Sequence, residues 1–242
     1  MEAHEMMFEL SHPNRIKIMK MLKEKPLKLT GVARKLDVTP AEAARHLRRL
    51  TAAQMVSKSE DQRYFLTPLG KVLLEYIERL EFYIENTEYF VNHDISVLPA
   101  EFIWSRNIVE GKVVKGTLEI LSLIKDLSDE AEAEINIISD EVYDALVPLN
   151  LEKAGKGVKI RIIYPEGVKV PKDYVSAKNI EVRFLKEVPI SLKRNEKRGG
   201  IVLPKITGQI DYSHALMGDT EFNDWLRRVF NYYWEKAGTA RR

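Results

Sequence analysis

Basic side chains are concentrated at residues 45–49, where Arg45, His46, Arg48 and Arg49 lie within five positions. Arginine forms two parallel hydrogen bonds with a guanine edge or a charged contact with a phosphate. Successive helical residues are 100° apart, so Arg45, Arg48 and Arg49 share a face with Ala41. The spacing predicts a cationic helix face whose N-terminal end is small enough to approach the floor of a major groove.

The start of this helix is indicated by Thr39-Pro40-Ala41-Glu42, the pattern of a capping box with proline at the first helical position. The Thr39 hydroxyl is expected to accept from the Glu42 amide while the Glu42 carboxylate reaches back to Thr39. Pro40 has no amide to leave unpaired. The helix is therefore predicted to begin directly after Thr39.

The neighbouring segments suggest how this helix is held. An apolar stripe predicts a first helix that ends at Lys25-Pro26, and a second short helix opens at Thr30 and ends at the turn Asp37-Val38. After the third helix, residues 55–58 and 63–66 read as two strands around a polar turn, with Lys58 and Arg63 near the tip. This is the order of a winged helix-turn-helix, although an isolated basic helix is more often only solvated.

Three runs resemble the ArsR-type winged-helix regulators: residues 10–16 (LSHPNRI), 45–50 (RHLRRL) and 64–70 (YFLTPLG). The sequence departs from that pattern at Ala44, where a serine is usual, and at Gln54-Met55, which replace a small residue and glycine. The resemblance covers about the first third of the chain and implies DNA binding. Helix geometry and resemblance together predict DNA contacts from ten residues: Thr39, Ala41, Glu42, Ala44, Arg45, His46, Arg48, Arg49, Lys58 and Arg63.

Composition limits the class of protein. A chain of 242 residues with 45% apolar and 31% charged residues is long enough for two globular domains. Cysteine is absent, which excludes disulfides, thiolate metal sites and thiol switches. No membrane span or basic leader is evident, so we expect a cytoplasmic location and no membrane partner. The first 70 residues hold 13 Lys or Arg against 8 Asp or Glu, whereas the remainder holds 25 against 28. The predicted DNA-reading part is therefore the basic part.

A long helical pattern follows from Pro68 to about Asn92. Its apolar seam repeats at intervals of 4 and 3 residues, as in a coiled coil: Leu69, Leu73, Tyr76, Leu80, Tyr83, Thr87 and Phe90. Such a helix would be about 37 Å long. We predict that it pairs with its copy in a homodimer; the alternative is that the stripe docks on the C-terminal domain of the same chain. The predicted boundaries are 1–67 for the winged helix, 68–111 for a helical spacer and 112–242 for a C-terminal domain.

The C-terminal part is predicted to be an α/β domain. Two helices are expected at residues 100–107 and 113–125, and a βαβ unit at 134–138, 142–154 and 158–163. Further strands are expected at 180–185, 200–203 and 209–217, with an aromatic helix at 222–234. Residues 98–102, 208–212 and 221–234 resemble the sensor region of TrmB-related and methanogenesis-regulator proteins, which is similar to a degenerate phospholipase-D fold. The resemblance implies an effector-sensing or oligomerisation domain.

The sequence lacks the residue spacing of two common catalytic and cofactor motifs. A phospholipase-D-type nuclease needs histidine and lysine two residues apart, and none of His4, His12, His46, His93 or His214 has lysine at that spacing. Gly155-Lys156-Gly157 is a plain turn rather than a dinucleotide loop. The basic run at residues 193–200 predicts a solvated loop, or less often a loop that grips an anion. The aromatic helix and His214 are read as core. No catalytic residue, cofactor or metal site is therefore predicted.

These observations favour a homodimeric, sequence-specific transcription regulator that is not an enzyme. We expect it to bind an imperfect palindrome in double-stranded DNA and to respond to a small-molecule effector. The alternatives are an enzyme acting on nucleic acid or a small molecule with the winged helix as a targeting module, and a winged helix that binds protein.

Overall fold

The computed structural model describes residues 2–239, which divide into two compact units. The first unit ends at Phe82 and the second begins at Tyr83. The chain is a mixed α/β protein with N-terminal helices and a C-terminal sheet. None of its described helices is both long enough and apolar enough to cross a bilayer.

The first unit is mainly helical, with a small antiparallel sheet of strand order β1-β3-β2. Its elements are α1 (Ala3–Leu10), α2 (Pro13–Glu24), β1 (Leu27–Lys28), α3 (Leu29–Leu36), α4 (Pro40–Ala52), β2 (Val56–Lys58), β3 (Arg63–Leu66) and α5 (Pro68–Glu85), which runs past the boundary at Phe82. The helix predicted after Thr39 and the two strands predicted beyond it are all present. Helix α1 was not predicted.

Helices α2, α3 and α4 share one apolar core with the hairpin. Leu47 and Leu50 of α4 are fully buried against Ile18 of α2 and Val32 of α3. Burying a side chain of this size contributes about 1.5–3 kcal/mol. This core fixes which face of α4 remains exposed.

Helix α5 joins the core at its first turns. Leu74 is buried in the core of the first unit, and Gly70 lies so close to strand β2 that a Cβ there would meet the Met55 carbonyl oxygen at 2.0 Å. The Thr67 hydroxyl donates to the Gln54 carbonyl at 2.7 Å and accepts from the Gly70 amide at 3.0 Å. The segment from Thr67 to Gly70 therefore fastens the hairpin to α5.

The prediction of one continuous helix from Pro68 to Asn92 is wrong. Asn86 has φ −109° and ψ 28°, which ends α5 at Glu85, and α6 (Thr87–Asn92) follows as a separate helix. Eighteen residues give α5 a length of about 27 Å. The exposed apolar residues of α5 also differ from the predicted seam, because Val72 is exposed whereas Leu73 packs on the core of the first unit.

The second unit contains a seven-stranded mixed sheet of order β4-β10-β9-β8-β5-β6-β7. After α6 its elements are α7 (Ala100–Ile103), β4 (Lys112–Lys115), α8 (Thr117–Asp129), β5 (Glu134–Ile138), α9 (Val147–Gly155), β6 (Lys159–Pro165), α10 (Lys172–Ser176), β7 (Ile180–Leu185), β8 (Ser191–Asn195), β9 (Arg198–Val202), β10 (His214–Asp219) and α11 (Thr220–Lys236). Strands β5, β6 and β7 are parallel, and the other pairings are antiparallel. The predicted βαβ unit is present as β5-α9-β6.

The sequence prediction fails at residues 113–125, where one helix was expected. The β-branched pair Val113 and Val114 instead lies in β4, which pairs with β10. Gly116 has φ 113°, a left-handed conformation that glycine adopts without strain, and it separates the strand from α8. Strand and helix therefore meet where a single helix was predicted.

The basic run at residues 193–200 is not a solvated loop. Its first residues form the buried end of β8, in the middle of the sheet, and its last residues begin β9. Lys193 donates to the Ser128 hydroxyl at 2.6 Å, and Arg194 pairs with Glu134 while its Nε donates to Asn223 at 3.0 Å. The side chains of Lys193 and Arg194 are thus hydrogen-bonded inside the second unit.

Helix α11 covers the sheet with its aromatic face. Phe222, Trp225 and Phe230 are fully buried, and the Trp225 indole donates to the Phe102 carbonyl at 3.0 Å. The prediction that these aromatic residues are core is confirmed.

Candidate nucleic-acid interface

The N-terminus of α4 is capped by Thr39, as predicted. The Thr39 hydroxyl accepts from the Glu42 amide at 3.2 Å, and Pro40 occupies the first turn. Among the described residues, no hydrogen bond from the Thr39 amide to the Glu42 carboxylate is present. That carboxylate instead lies 3.7 Å from His46 Nε2. The cap still fixes the start of the helix, and with it the orientation of the residues that follow.

Arg45 and Arg48 are exposed on α4, on the same face as the small residue Ala41. Within residues 2–239 no carboxylate lies at ion-pair distance from either guanidinium, so both keep their full hydrogen-bonding capacity. Ala44 is half-buried beside this face. The geometry therefore offers two free arginines next to a small-residue surface.

Arg49, by contrast, is already paired. Its Nε donates to Glu9 Oε2 at 2.9 Å, its Nη2 donates to the other oxygen of the same carboxylate, and its guanidinium lies 5.5 Å from the centre of the Phe8 ring. Glu9 also pairs with Arg15 at 3.0 Å. The hydrogen bond from Arg49 lowers the pKa of Glu9, and the same bond raises the pKa of Arg49. Arg49 therefore connects α4 to α1.

The structure does not place His46, a predicted DNA contact, on the exposed face of α4. His46 is only 2% exposed and packs against His12, with 4.5 Å between the ring centres. Burial lowers the pKa of His46, and the neighbouring His12 lowers it further. His46 is therefore part of the core between α2 and α4.

The hairpin presents one free cation and one paired cation. Lys58 is exposed over the Tyr64 ring, 5.5 Å from its centre, and no carboxylate of the described chain lies at ion-pair distance. Arg63 pairs with Asp61 at 2.9 Å. Hydrogen bonding from Ser59 and the charge of Arg63 lower the pKa of Asp61. Of the two predicted wing contacts, Lys58 is the one that is free to meet a phosphate.

The sequence did not predict the residues of α1 that contact Arg49 on the basic helix α4. Glu9 and Phe8 hold Arg49 across 40 positions of sequence, and no local pattern marks that contact. For His46 a signal was available, because four helical residues span about 400°, which places His46 only about 40° from the buried Leu50.

A family model described as the HVO_A0261 N-terminal domain matches residues 3–88. The solved structure of TrmBL2, described as an archaeal chromatin protein that shows a novel mode of DNA binding, is similar over 99% of this chain and 100% of its own, with 16% identity and a TM-score of 0.46. None of the curated proteins matches.

Two further structures are similar to about half of the chain. NucT from Helicobacter pylori is similar over 54% of this chain and 98% of its own, with 14% identity and a TM-score of 0.43. Nuc from Salmonella typhimurium, a phospholipase D family member, is similar over 55% of this chain and 100% of its own, with 12% identity and a TM-score of 0.41.

These matches contradict the prediction that the chain is not an enzyme, because a phospholipase D family member is among them. The prediction relied on one catalytic pattern, a histidine two residues before a lysine. The absence of that pattern bears on one chemical route and not on enzymes as a class. The similarity to TrmBL2 agrees with the predicted resemblance to the TrmB group, whereas the resemblance to ArsR-type regulators stays a prediction.

Proposed function

We propose that this chain is a sequence-specific DNA-binding transcription regulator whose first unit is a winged helix. The observation that carries the proposal is the exposed face of α4, where Arg45 and Arg48 are unpaired beside Ala41. An arginine that is not occupied by a carboxylate can donate two hydrogen bonds to a guanine edge in the major groove. A small residue near the helix N-terminus allows the backbone to come close to the bases.

The other predicted contact residues take supporting roles in this proposal. Thr39, Ala41 and Ala44 shape the surface that enters the groove, and Glu42 lies at its edge. Lys58 binds a phosphate from the hairpin. Arg49 and Arg63 contact DNA only if they exchange Glu9 or Asp61 for a phosphate. Base reading is therefore assigned to Arg45 and Arg48.

We further propose that two copies pair through α5. Five large apolar residues of this helix are exposed in the single chain: Leu69 (42%), Val72 (50%), Tyr76 (58%), Leu80 (58%) and Ile84 (61%). Their spacing of three and four residues aligns them along one side of the helix, as a helix–helix contact requires. A symmetric dimer would favour an imperfect palindrome with half-sites about 34 Å, one helical turn, or a multiple of that distance apart.

The second unit is proposed to sense an effector. It has a sheet and apolar core of its own. A ligand that binds one dimer geometry better than another would change the affinity for the operator.

The test of DNA binding uses the full chain and fluorescence anisotropy with its own upstream region and with a scrambled duplex. Arg45→Ala is expected to weaken binding to the specific duplex by about 1–3 kcal/mol and to reduce the preference between the two duplexes. Lys58→Ala is expected to weaken both alike and to reduce the salt slope by about one. Lys125→Ala, an exposed lysine of α8 in the second unit, is the matched control and should change neither.

Equal losses on both duplexes for Arg45→Ala would remove its base-reading role. A wild-type chain that binds no duplex at low ionic strength would overturn the proposed function.

A further inference from the structure

Two histidines and an aspartate converge in the second unit, at a place that the proposed DNA contacts do not use. His93 follows the end of α6, Asp211 lies in the loop before β10, and His214 is the first residue of β10. His93 and Asp211 are buried, and His214 is partly exposed. One donor atom from each of the three side chains lies within 4.8 Å of the others.

Two of the three separations between the ligand atoms are close to those of a metal-binding set. Asp211 Oδ2 lies 3.0 Å from His93 Nε2 and 3.4 Å from His214 Nδ1. Two ligand atoms that bind one Zn²⁺ ion at about 2.0–2.1 Å in tetrahedral geometry are about 3.3 Å apart. A small adjustment of the rings would therefore place a metal ion between the three atoms.

The surroundings orient the donor atoms of His93 and Asp211 inward, whereas His214 Nδ1 lies 2.9 Å from the Ser213 hydroxyl and has to exchange this contact for a metal ion. His93 Nδ1 lies 2.8 Å from the Tyr89 carbonyl oxygen, so this nitrogen donates its proton there and Nε2 points toward Asp211. The His93 ring also stacks on Tyr89, with 4.2 Å between ring centres. Metal-binding histidines usually donate their second nitrogen to a carbonyl or carboxylate in this way. The Ser213 hydroxyl and amide both donate to Asp211 Oδ1, at 2.6 and 3.2 Å, which leaves Oδ2 for a metal.

Solvent reaches the cluster through a cleft of about 370 Å³, which Glu88 also lines. Glu88 is exposed and pairs with Lys115, and its carboxylate or a water molecule could complete the coordination. Lys205 Nζ lies 3.8 Å from Asp211 Oδ1 and is the cation that competes with a metal for this carboxylate. Two imidazoles and one carboxylate suit Zn²⁺ and the neighbouring divalent transition metals rather than Ca²⁺ or Mg²⁺.

We propose that His93, Asp211 and His214 bind one divalent transition-metal ion of the Zn²⁺ type. The proposal departs from the sequence prediction of no metal site, and it does not depend on the proposed DNA binding. A bound ion would tie the end of α6 to the segment before β10, two parts of the chain that are 118 residues apart.

The test measures Zn²⁺ binding to the untagged, chelator-treated full chain by isothermal titration calorimetry. One equivalent is expected to bind. His214→Ala is expected to weaken that binding roughly 100-fold, because one of the three ligands is lost. Asp211→Asn keeps the shape of the side chain and should also weaken binding, whereas Lys205→Gln should tighten it roughly threefold to tenfold by removing the competing charge. His4→Ala, an exposed histidine of the first unit, is the control and should leave binding unchanged.

Co²⁺ gives a second readout that separates lost ligation from lost folding. The wild type should develop the visible absorption of Co²⁺ bound by nitrogen and oxygen ligands, and His214→Ala should not, while its far-UV circular dichroism stays that of the wild type. Equal Zn²⁺ affinity in the wild type and His214→Ala would overturn the proposal. So would loss of binding in His4→Ala but not in His214→Ala, because the Zn²⁺ ion would then bind at a different site that includes His4.

Discussion

Replacing Lys193 by methionine tests how the second unit accommodates a charge in the middle of its sheet. The Lys193 side chain lies in β8, is 6% exposed as a residue, and has the Ser128 hydroxyl as its hydrogen-bond partner at 2.6 Å. Burial lowers its pKa from 10.5 to about 7, although the nearby charge of Asp129 opposes this change. Methionine is also unbranched and of similar length, so it fills the same space without the amine.

The sign of the effect follows from where the proton is bound. Between about pH 7 and the ordinary lysine pKa, the unfolded chain holds a proton on Lys193 that the folded chain lacks, so the free energy of unfolding of the wild type rises with pH across this window. Below about pH 7 Lys193 is protonated in both the folded and the unfolded chain, so burial of its charge lowers the free energy of unfolding by the full amount. A pKa lowered from 10.5 to about 7 corresponds to at most about 5 kcal/mol at about 1.4 kcal/mol per pKa unit.

Lys193→Met removes this destabilisation and also loses the bond to Ser128, which contributes about 1 kcal/mol. Ser128 keeps Asn150 as a partner at 3.1 Å. We therefore expect the variant to be more stable than the wild type by about 2–4 kcal/mol below pH 7, and less stable by about 1 kcal/mol once the wild-type lysine is neutral in both states.

Urea unfolding of both proteins at a series of pH values measures the difference directly, and groups common to both cancel. Lys197→Met is the control, because Lys197 lies in the same basic run but is exposed and paired with Glu132. Its effect should be small over the pH range in which Glu132 and Lys197 remain charged. A difference between Lys193→Met and the wild type that does not change with pH would refute the reasoning.

Two further predictions concern the first unit. Gln54, between α4 and β2, has a φ of 59°, a left-handed conformation that glycine adopts without strain. In urea unfolding, Gln54→Gly should therefore raise the free energy of unfolding by about 0.5–1 kcal/mol, whereas Gln54→Val should lower it. No gain in stability from glycine would show that this turn is not strained. Leu80→Glu on the exposed side of α5 should convert a wild-type dimer to a monomer in sedimentation, with Lys71→Glu on the same helix as control. A monomeric wild type at micromolar concentration would remove the dimer proposal.

The sequence predicted the elements that local signals specify. The cap at Thr39 and the turn around Glu60-Asp61-Gln62 depend on neighbouring residues, and the structure has α4, β2 and β3 there. The βαβ unit was also predictable, since long apolar runs at β5 and β6 indicate buried parallel strands. In each case the residues that determine the element lie within it or beside it.

What the sequence did not predict depends on partners far along the chain. Lys193 and Arg194 read as loop because their partners Ser128, Glu134 and Asn223 lie 65, 60 and 29 positions away. The cluster of His93 with Asp211 and His214 was missed for the same reason. A charged strand is indistinguishable from a charged loop until its counter-charges are known.

The same argument decides which cations of the first unit are available to DNA. Each of five basic residues contributes the same formal charge of +1: Arg45, Arg48, Arg49, Lys58 and Arg63. The carboxylates Glu9 and Asp61 occupy Arg49 and Arg63, and each would have to be displaced before its arginine could bind a phosphate. The exposed pair of Arg63 with Asp61 is weak, so a phosphate can replace that carboxylate, but the exchange returns less free energy than binding by an unpaired cation. Glu9 is only 15% exposed and also pairs with Arg15, so Arg49 is held more firmly. Under the proposed function, affinity for DNA should therefore depend most on Arg45, Arg48 and Lys58, and the base-reading role proposed for the two arginines distinguishes them from Lys58.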